Sequence, residues 1–113
     1  MYQNYDAVGR TIDNIKIRYL SDGTPVANFI LAVQRKKNKE IADFIPCVAW
    51  GELAKLLVNH VGKGSLILVN GELRSSKFKD EETGRTEYRL QLEAQDVRWL
   101  LLKNTGSGEE SEE

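Results

Sequence analysis

Two hydrophobic periods divide the chain. Ile15, Ile17 and Tyr19 alternate with Lys16, Arg18 and Leu20, a period of two that predicts a half-buried strand. Ser21-Asp22-Gly23-Thr24-Pro25 follows, and Asp-Gly, which tolerates positive φ, marks a hairpin turn. Residues 26–33 form a short, nearly unbroken apolar run, the pattern of a central strand buried on both sides. Residues 42–50 read as a third strand, in which Pro46, lacking an N–H, marks an edge or a bulge. Over residues 51–61 the period lengthens. Leu53, Leu56, Leu57, His60 and Val61 fall on one face of a helix, and Gly62-Lys63-Gly64 stops it. Residues 65–74 return to the strand pattern and 75–79 extend it; Gly71 inside predicts a bulge or a close backbone approach. After a turn over 80–85, residues 86–102 alternate as a fifth strand.

Three strands, one helix and two strands, with no repeated parallel crossover, exclude a doubly wound sheet. The expected class is all-β with one helix. An OB-fold, a five-stranded Greek-key barrel with the helix between strands 3 and 4, has this arrangement. An α+β sandwich with the same element count is the alternative.

Composition and charge sharpen this. The 113 residues amount to one domain, and 41% hydrophobic content suffices for a small core. A single Cys cannot form an internal disulfide, so a stapled secreted scaffold is excluded. The longest apolar runs are four or five residues, too short for a membrane span, and MYQNYDAVGR lacks a signal-peptide apolar region. The expected location is the cytoplasm. The net charge of −1 argues at first against nucleic acid, but it is a sum over two unlike parts. Residues 105–113, TGSGEESEE, hold four of the 17 acids and none of the 16 bases. A tail without apolar residues is expected to be disordered. The remaining 13 acids leave a body over residues 1–104 near +3. A basic body with an acidic tail fits nucleic-acid traffic or a solubilising tail equally well.

Catalytic and metal chemistry find no support. One His and one Cys make no ligand set, no phosphate-loop or nucleophile motif occurs, and no cofactor is implied. Cys47 lies in an apolar strand and reads as a buried, inert thiol. His60 reads as a core or rim residue by its spacing. The positive signal is bases interleaved with aromatics. Arg35, Lys36, Lys37 and Lys39 lead into Phe44 and Trp50; Arg74, Lys77, Phe78, Lys79, Arg85, Tyr88 and Arg89 crowd one hairpin. Phe78 between two lysines is hard to bury and suits a ring that stacks an unpaired base while the bases of the protein track phosphates. Trp50, judged alone, reads as core.

At these residues a resemblance emerges. Val8-Gly9, Ile17-Arg18-Tyr19, Asp22-Gly23-Thr24, Val26-Ala27-Asn28-Phe29, Leu31-Ala32-Val33, Ala42-Asp43-Phe44, Val48-Ala49-Trp50-Gly51-Glu52-Leu53-Ala54, Lys63-Gly64-Ser65-Leu66 and Gly71-Glu72-Leu73-Arg74 follow one another as in the bacterial single-stranded DNA-binding protein family. Each segment is weak alone, but together they are specific and cover residues 8–100. The resemblance implies an OB-fold, a homotetramer (a dimer is the alternative), and binding of single-stranded DNA without strong sequence preference in replication, recombination or repair. It implies that Phe44, Trp50 and Phe78 stack bases, and that Arg18, Lys63, Arg74 and Lys77 lie along the DNA. His60 stands where the family often has Tyr. Lys37 stands where an aromatic stacker is usual, and Ser76 where a base is common. The family's acidic tip ends in a Pro-Phe element that recruits replication proteins; this tail ends Glu-Glu, so recruitment through it is not expected. A minimal or accessory paralogue, encoded by a phage or mobile element, fits that departure. Rival readings of the same fold are an RNA-binding protein and a primosome-type interaction module.

Overall fold

The computed structural model describes residues 1–104; the tail predicted over 105–113 lies outside them. Six strands and one helix follow in the order β1 (Tyr5–Thr11), β2 (Lys16–Tyr19), β3 (Pro25–Gln34), β4 (Ala42–Trp50), α1 (Gly51–His60), β5 (Leu66–Lys79) and β6 (Thr86–Leu101). The sheet runs β1-β5-β6-β4-β3-β2, and β1 pairs with β3 as well as β5, which closes it. Along β3, β1 lies opposite Ala32 and Leu31 and β2 opposite residues 25–28, so both are halves of one interrupted strand. Counted that way, the barrel is the expected five-stranded OB-fold with its helix between the third and fourth strands. The pattern of residues 15–20 reveals only the second half. The first half escapes because its outward residues include Val8 and its inward ones Gly9, which erases the alternation.

Ala27, Phe29 and Leu31 of β3, Cys47 and Ala49 of β4, Ile67 and Val69 of β5, and Leu92 and Ala94 of β6 fill the barrel. Helix α1 closes one end with Ala54, Leu57 and Val61. The reading of 26–33 as buried on both sides is corrected here. Within the chain Asn28 and Ile30 are exposed, because β3 has the hollow of the barrel on one side only. The helix face is also rotated from its prediction. Leu56 and His60 point outward and Ala54 replaces them, since the three fully buried residues follow i, i+3 and i+7, with Leu53 and Val58 packed beside them. His60 lies beside Trp99, their rings 6.3 Å apart.

Turn and bulge signals translate directly. Gly23 adopts φ +90°, and its N–H donates to Leu20 O at 2.8 Å. Gly71 sits at a register shift against β6, where a Cβ would collide with the Glu93 carbonyl oxygen. Pairing of β4 with β6 is parallel and covers only Cys47 and Val48, so Pro46 stands where β4 has a single neighbour. Beyond that point β5 and β6 leave the barrel as a long two-stranded arm, turned by Gly84 with its N–H on Asp80 O. Among the described residues, no helix is long and apolar enough to cross a membrane.

Candidate nucleic-acid interface

Opposed residues in a sheet share a face, and successive ones alternate. The registers therefore place side chains in rows across the outside of the barrel. Arg18, Val26 and Trp50 form one row; Lys16, Asn28, Val48 and Glu93 a second; Arg10, Ala32 and Phe44 a third. Continuing through Glu72, opposite Glu93, the same face carries Arg74, Ser76 and Phe78 along β5. Phe44 and Trp50, six residues apart, are separated by about 20 Å at the usual strand rise. One outer surface thus presents all three predicted stacking rings. Phe44 is 62% exposed, Trp50 43% and Phe78 38%. Trp50 is not core, contrary to its reading in isolation; it ends β4 at an outward position, and Gly51 turns the chain into α1 behind it.

The bases divide into free and committed groups. The 35–41 connection is tied down by Arg35 N–H on Ile41 O (3.0 Å) and Gln34 Nε2 on Lys39 O (3.2 Å). Arg35 is spent on this: its guanidinium grips Asp43 at 2.9–3.3 Å and holds that carboxyl below its ordinary value. Lys36, Lys37 and Lys39 remain exposed, with no ion pair among the described residues. Arg74 is spent as well, bonded to Glu72 at 2.8 Å and Glu93 at 2.9 Å. Arg18 touches Asn28 Oδ1 at 3.5 Å and is otherwise open. Lys63 is exposed, and Asn14 Oδ1 accepts its backbone N–H. On the arm, the Arg89 guanidinium lies 4.2 Å from the Phe78 ring centroid. Such a contact holds the ring with its other side available to a base. Lys77, Lys79 and Tyr88 do not join these residues. They occupy the opposite side of the arm, because Lys77 pairs with Tyr88 while Phe78 pairs with Glu87.

Two contributors were missed. Lys16 and Arg10 lie in the outer rows. Lys16 was legible as the polar alternate of Ile15 and Ile17; Arg10 was not, because the strand that aims it was not visible. Between β4 and the arm runs a groove of about 470 Å³ lined by Pro46, Ser76, Arg89, Leu90 and Gln91. The site offers stacking and charge but no reactive group. Burial pushes the Cys47 thiol up to about 12, and among the described residues no cluster of His, Cys, Asp or Glu fits a metal ion.

Known proteins resemble this chain over most of its length. Residues 4–100 match the single-strand binding protein family. A single-stranded DNA-binding protein of Oceanobacillus iheyensis is 37% identical over 109 residues, covering 92% of this chain and 66% of that protein. One from Caldanaerobacter subterraneus is 36% identical over 94% of this chain and 73% of its own length. Single-stranded DNA-binding protein A of Bacillus subtilis is 35% identical over 88% and 59%. The chain thus spans roughly two thirds of the length of these relatives. With a closed five-stranded barrel, an exposed aromatic face and this match, the chain belongs to the single-strand binding protein family.

Proposed function

We propose that this chain binds single-stranded DNA without strong sequence preference, protecting it during replication, recombination or repair, and that it is a binding protein and not an enzyme. The observation that carries the reading is the placement of Phe44, Trp50 and Phe78 on one exposed face with Lys16 and Arg18 beside them. Unpaired bases stack on such rings at about 1–3 kcal/mol each, and the lysines of 36–39 neutralise phosphates. A duplex offers phosphates but no free base faces, since its bases already stack on one another. The names of the relatives favour DNA over the RNA-binding and primosome-type alternatives.

We infer that the working form is a homo-oligomer, a tetramer before a dimer. Past the Arg10–Ala32–Phe44 row, the outer side of β1 leaves Val8 exposed at a groove of about 580 Å³ lined by Val8, Arg10, Gln34, Ala42 and Leu66 among others. Apolar surface of that kind marks an interface. The cytoplasm remains the proposed location. Recruitment of replication proteins through the tail is not part of this reading.

Titration with oligo-dT and an equal-length duplex, following Trp fluorescence and light scattering, tests the proposal. Tight, quenching binding of dT with weak binding of duplex is expected, and equal affinity sinks it. Competition by oligo-rU as strong as that by dT turns the reading toward RNA.

A further inference from the structure

Strand β5 outruns its neighbour. β1 ends opposite Gly71, and past that point β6 is the only strand paired with β5 among the described residues. Two hydrogen bonds show where the backbone groups of this stretch point. Asp80 N–H donates to Arg85 O across the arm at 2.9 Å, toward β6. Leu73 N–H points the other way and donates to Gln3 Oε1 at 2.9 Å. The register from Gly71 to Lys79 is unbroken, and successive residues of a strand alternate in this direction. Arg74, Ser76 and Phe78 therefore turn to β6, while Ser75, Lys77 and Lys79 aim their N–H and C=O groups at an uncovered edge. Gln3 fills one rung with a side chain where β1 stops, and the rungs beyond it stay open. The side chains at these rungs stand with Leu90, Tyr88 and Thr86, on the side of the arm away from Phe78. Both lysines are exposed, and neither has an ion pair among the described residues. Asp80, Glu81 and Glu82 follow in the turn, where Asp80 Oδ1 accepts the Glu82 N–H at 2.9 Å. Toward the barrel the same side opens into a hollow of about 550 Å³ whose lining includes Tyr5, Leu73, Ser75 and Leu90.

We propose that this edge docks an extended acidic segment of a partner protein, added to β5 antiparallel, as β1 is. An open row of alternating donors and acceptors is matched by another polypeptide backbone. A sugar-phosphate backbone brings acceptors but no donors for the carbonyls. A second copy of the same edge would bring the lysines of both copies together on one face, and like charges across a strand pair repel. Carboxylates opposite them attract. The register sets the partner's pattern: acidic side chains opposite Lys79 and Lys77, two residues apart, then an apolar side chain opposite Ser75 that enters the hollow. Such a segment lies along the edge of the arm and leaves the Phe78 face open. The inference goes beyond the reading of the chain as a single-stranded DNA binder and does not depend on it.

An NMR titration of the isotope-labelled full chain with the end-blocked peptide Glu-Thr-Glu-Thr-Leu tests the proposal. The amide signals of Ser75, Lys77 and Lys79 are expected to move as their N–H groups gain acceptors. Those of Ser76 and Phe78, which face β6, are expected to move less. The same peptide with Lys in place of both Glu is expected to bind about tenfold weaker. A Lys77→Glu/Lys79→Glu variant is expected to reverse that preference. Both positions are exposed, and an unchanged melting temperature establishes that the variant is folded. Methylating the two Glu amide nitrogens removes the donors that face β5 and is expected to abolish binding. Undiminished binding of the methylated peptide overturns the strand addition, as do signal changes confined to other residues or equal binding of the acidic and basic peptides. Displacement of the acidic peptide by oligo-dT also overturns it and gives this side of the arm to nucleic acid.

Discussion

Arg74 illustrates how a side chain can occupy a family position without presenting its charge. Its guanidinium is bonded to Glu72 and Glu93, which raises its own basicity and leaves the three groups with a net charge of −1 on the outer face. A strand laid across this spot meets excess negative charge between Trp50 and Phe78. Glu93→Gln removes one of the two carboxylates, which neutralises the cluster and leaves Arg74 shared with Glu72 alone and better able to meet a phosphate. Tighter binding to oligo-dT is expected, with the log–log salt slope steeper by up to about 0.7, the contribution of one neutralised phosphate on a single strand. An unchanged slope would mean that Arg74 already reaches the DNA. Asp43 binds Arg35 in the same way, and the pH sense follows. Its carboxyl is depressed below the unfolded value of 3.8, so the tie it gives the basic loop is complete above that pH and is lost as pH falls through the lower folded value.

Among the elements, helix α1 shows what periodicity can and cannot say. Five apolar or aromatic positions suggest a broad buried stripe, yet only the side built on Ala54, Leu57 and Val61 meets the barrel. Leu57 is fully buried and Leu56 is exposed, one residue and 100° apart around the helix. Leu57→Ala is expected to cost about 2–5 kcal/mol in chemical denaturation. Leu56→Ala should fall within about 0.5 kcal/mol of wild type. Similar losses at both would place the helix in another rotation. The β5–β6 arm makes the complementary point. Its residues alternate like any strand pair, but beyond Leu92 no barrel covers either side, so both faces are surface. That is why one arm can display Phe78 and Arg89 on one side and Tyr88 with two lysines on the other.

For the whole molecule, charge distribution decides more than its sum. The body over residues 1–104 is near +3 and residues 105–113 carry −4, so the two attract and compete with phosphate. Removing residues 105–113 is expected to tighten oligo-dT binding at low ionic strength, with the difference vanishing in high salt where charges are screened. Equal affinity at low salt would make the tail a solubiliser only. Closure of the barrel matters on the same scale. It is the pairing of β1 with both β3 and β5 that turns the outer rows into one continuous face.

The order of elements from residue 15 onward, the Asp22-Gly23 turn, the close approach at Gly71, the single-partner site at Pro46 and the basic connection over 35–39 were all legible in the sequence. Each depends on local chemistry: φ freedom, a missing N–H, or a run of charge. The exposure of Phe78 was legible too, from its lysine neighbours, while Phe44 and Trp50 were singled out by the resemblance. Tertiary structure alone decided the rest. Trp50 is exposed because β4 ends it outward; Arg10 joins the face because an unrecognised strand aims it there; Arg35 and Arg74 are spent because cross-strand register brings acids to them. Register and rotation are set by the packing of distant segments, and a one-residue slip in either sends a side chain to the other face. No local pattern carries that information.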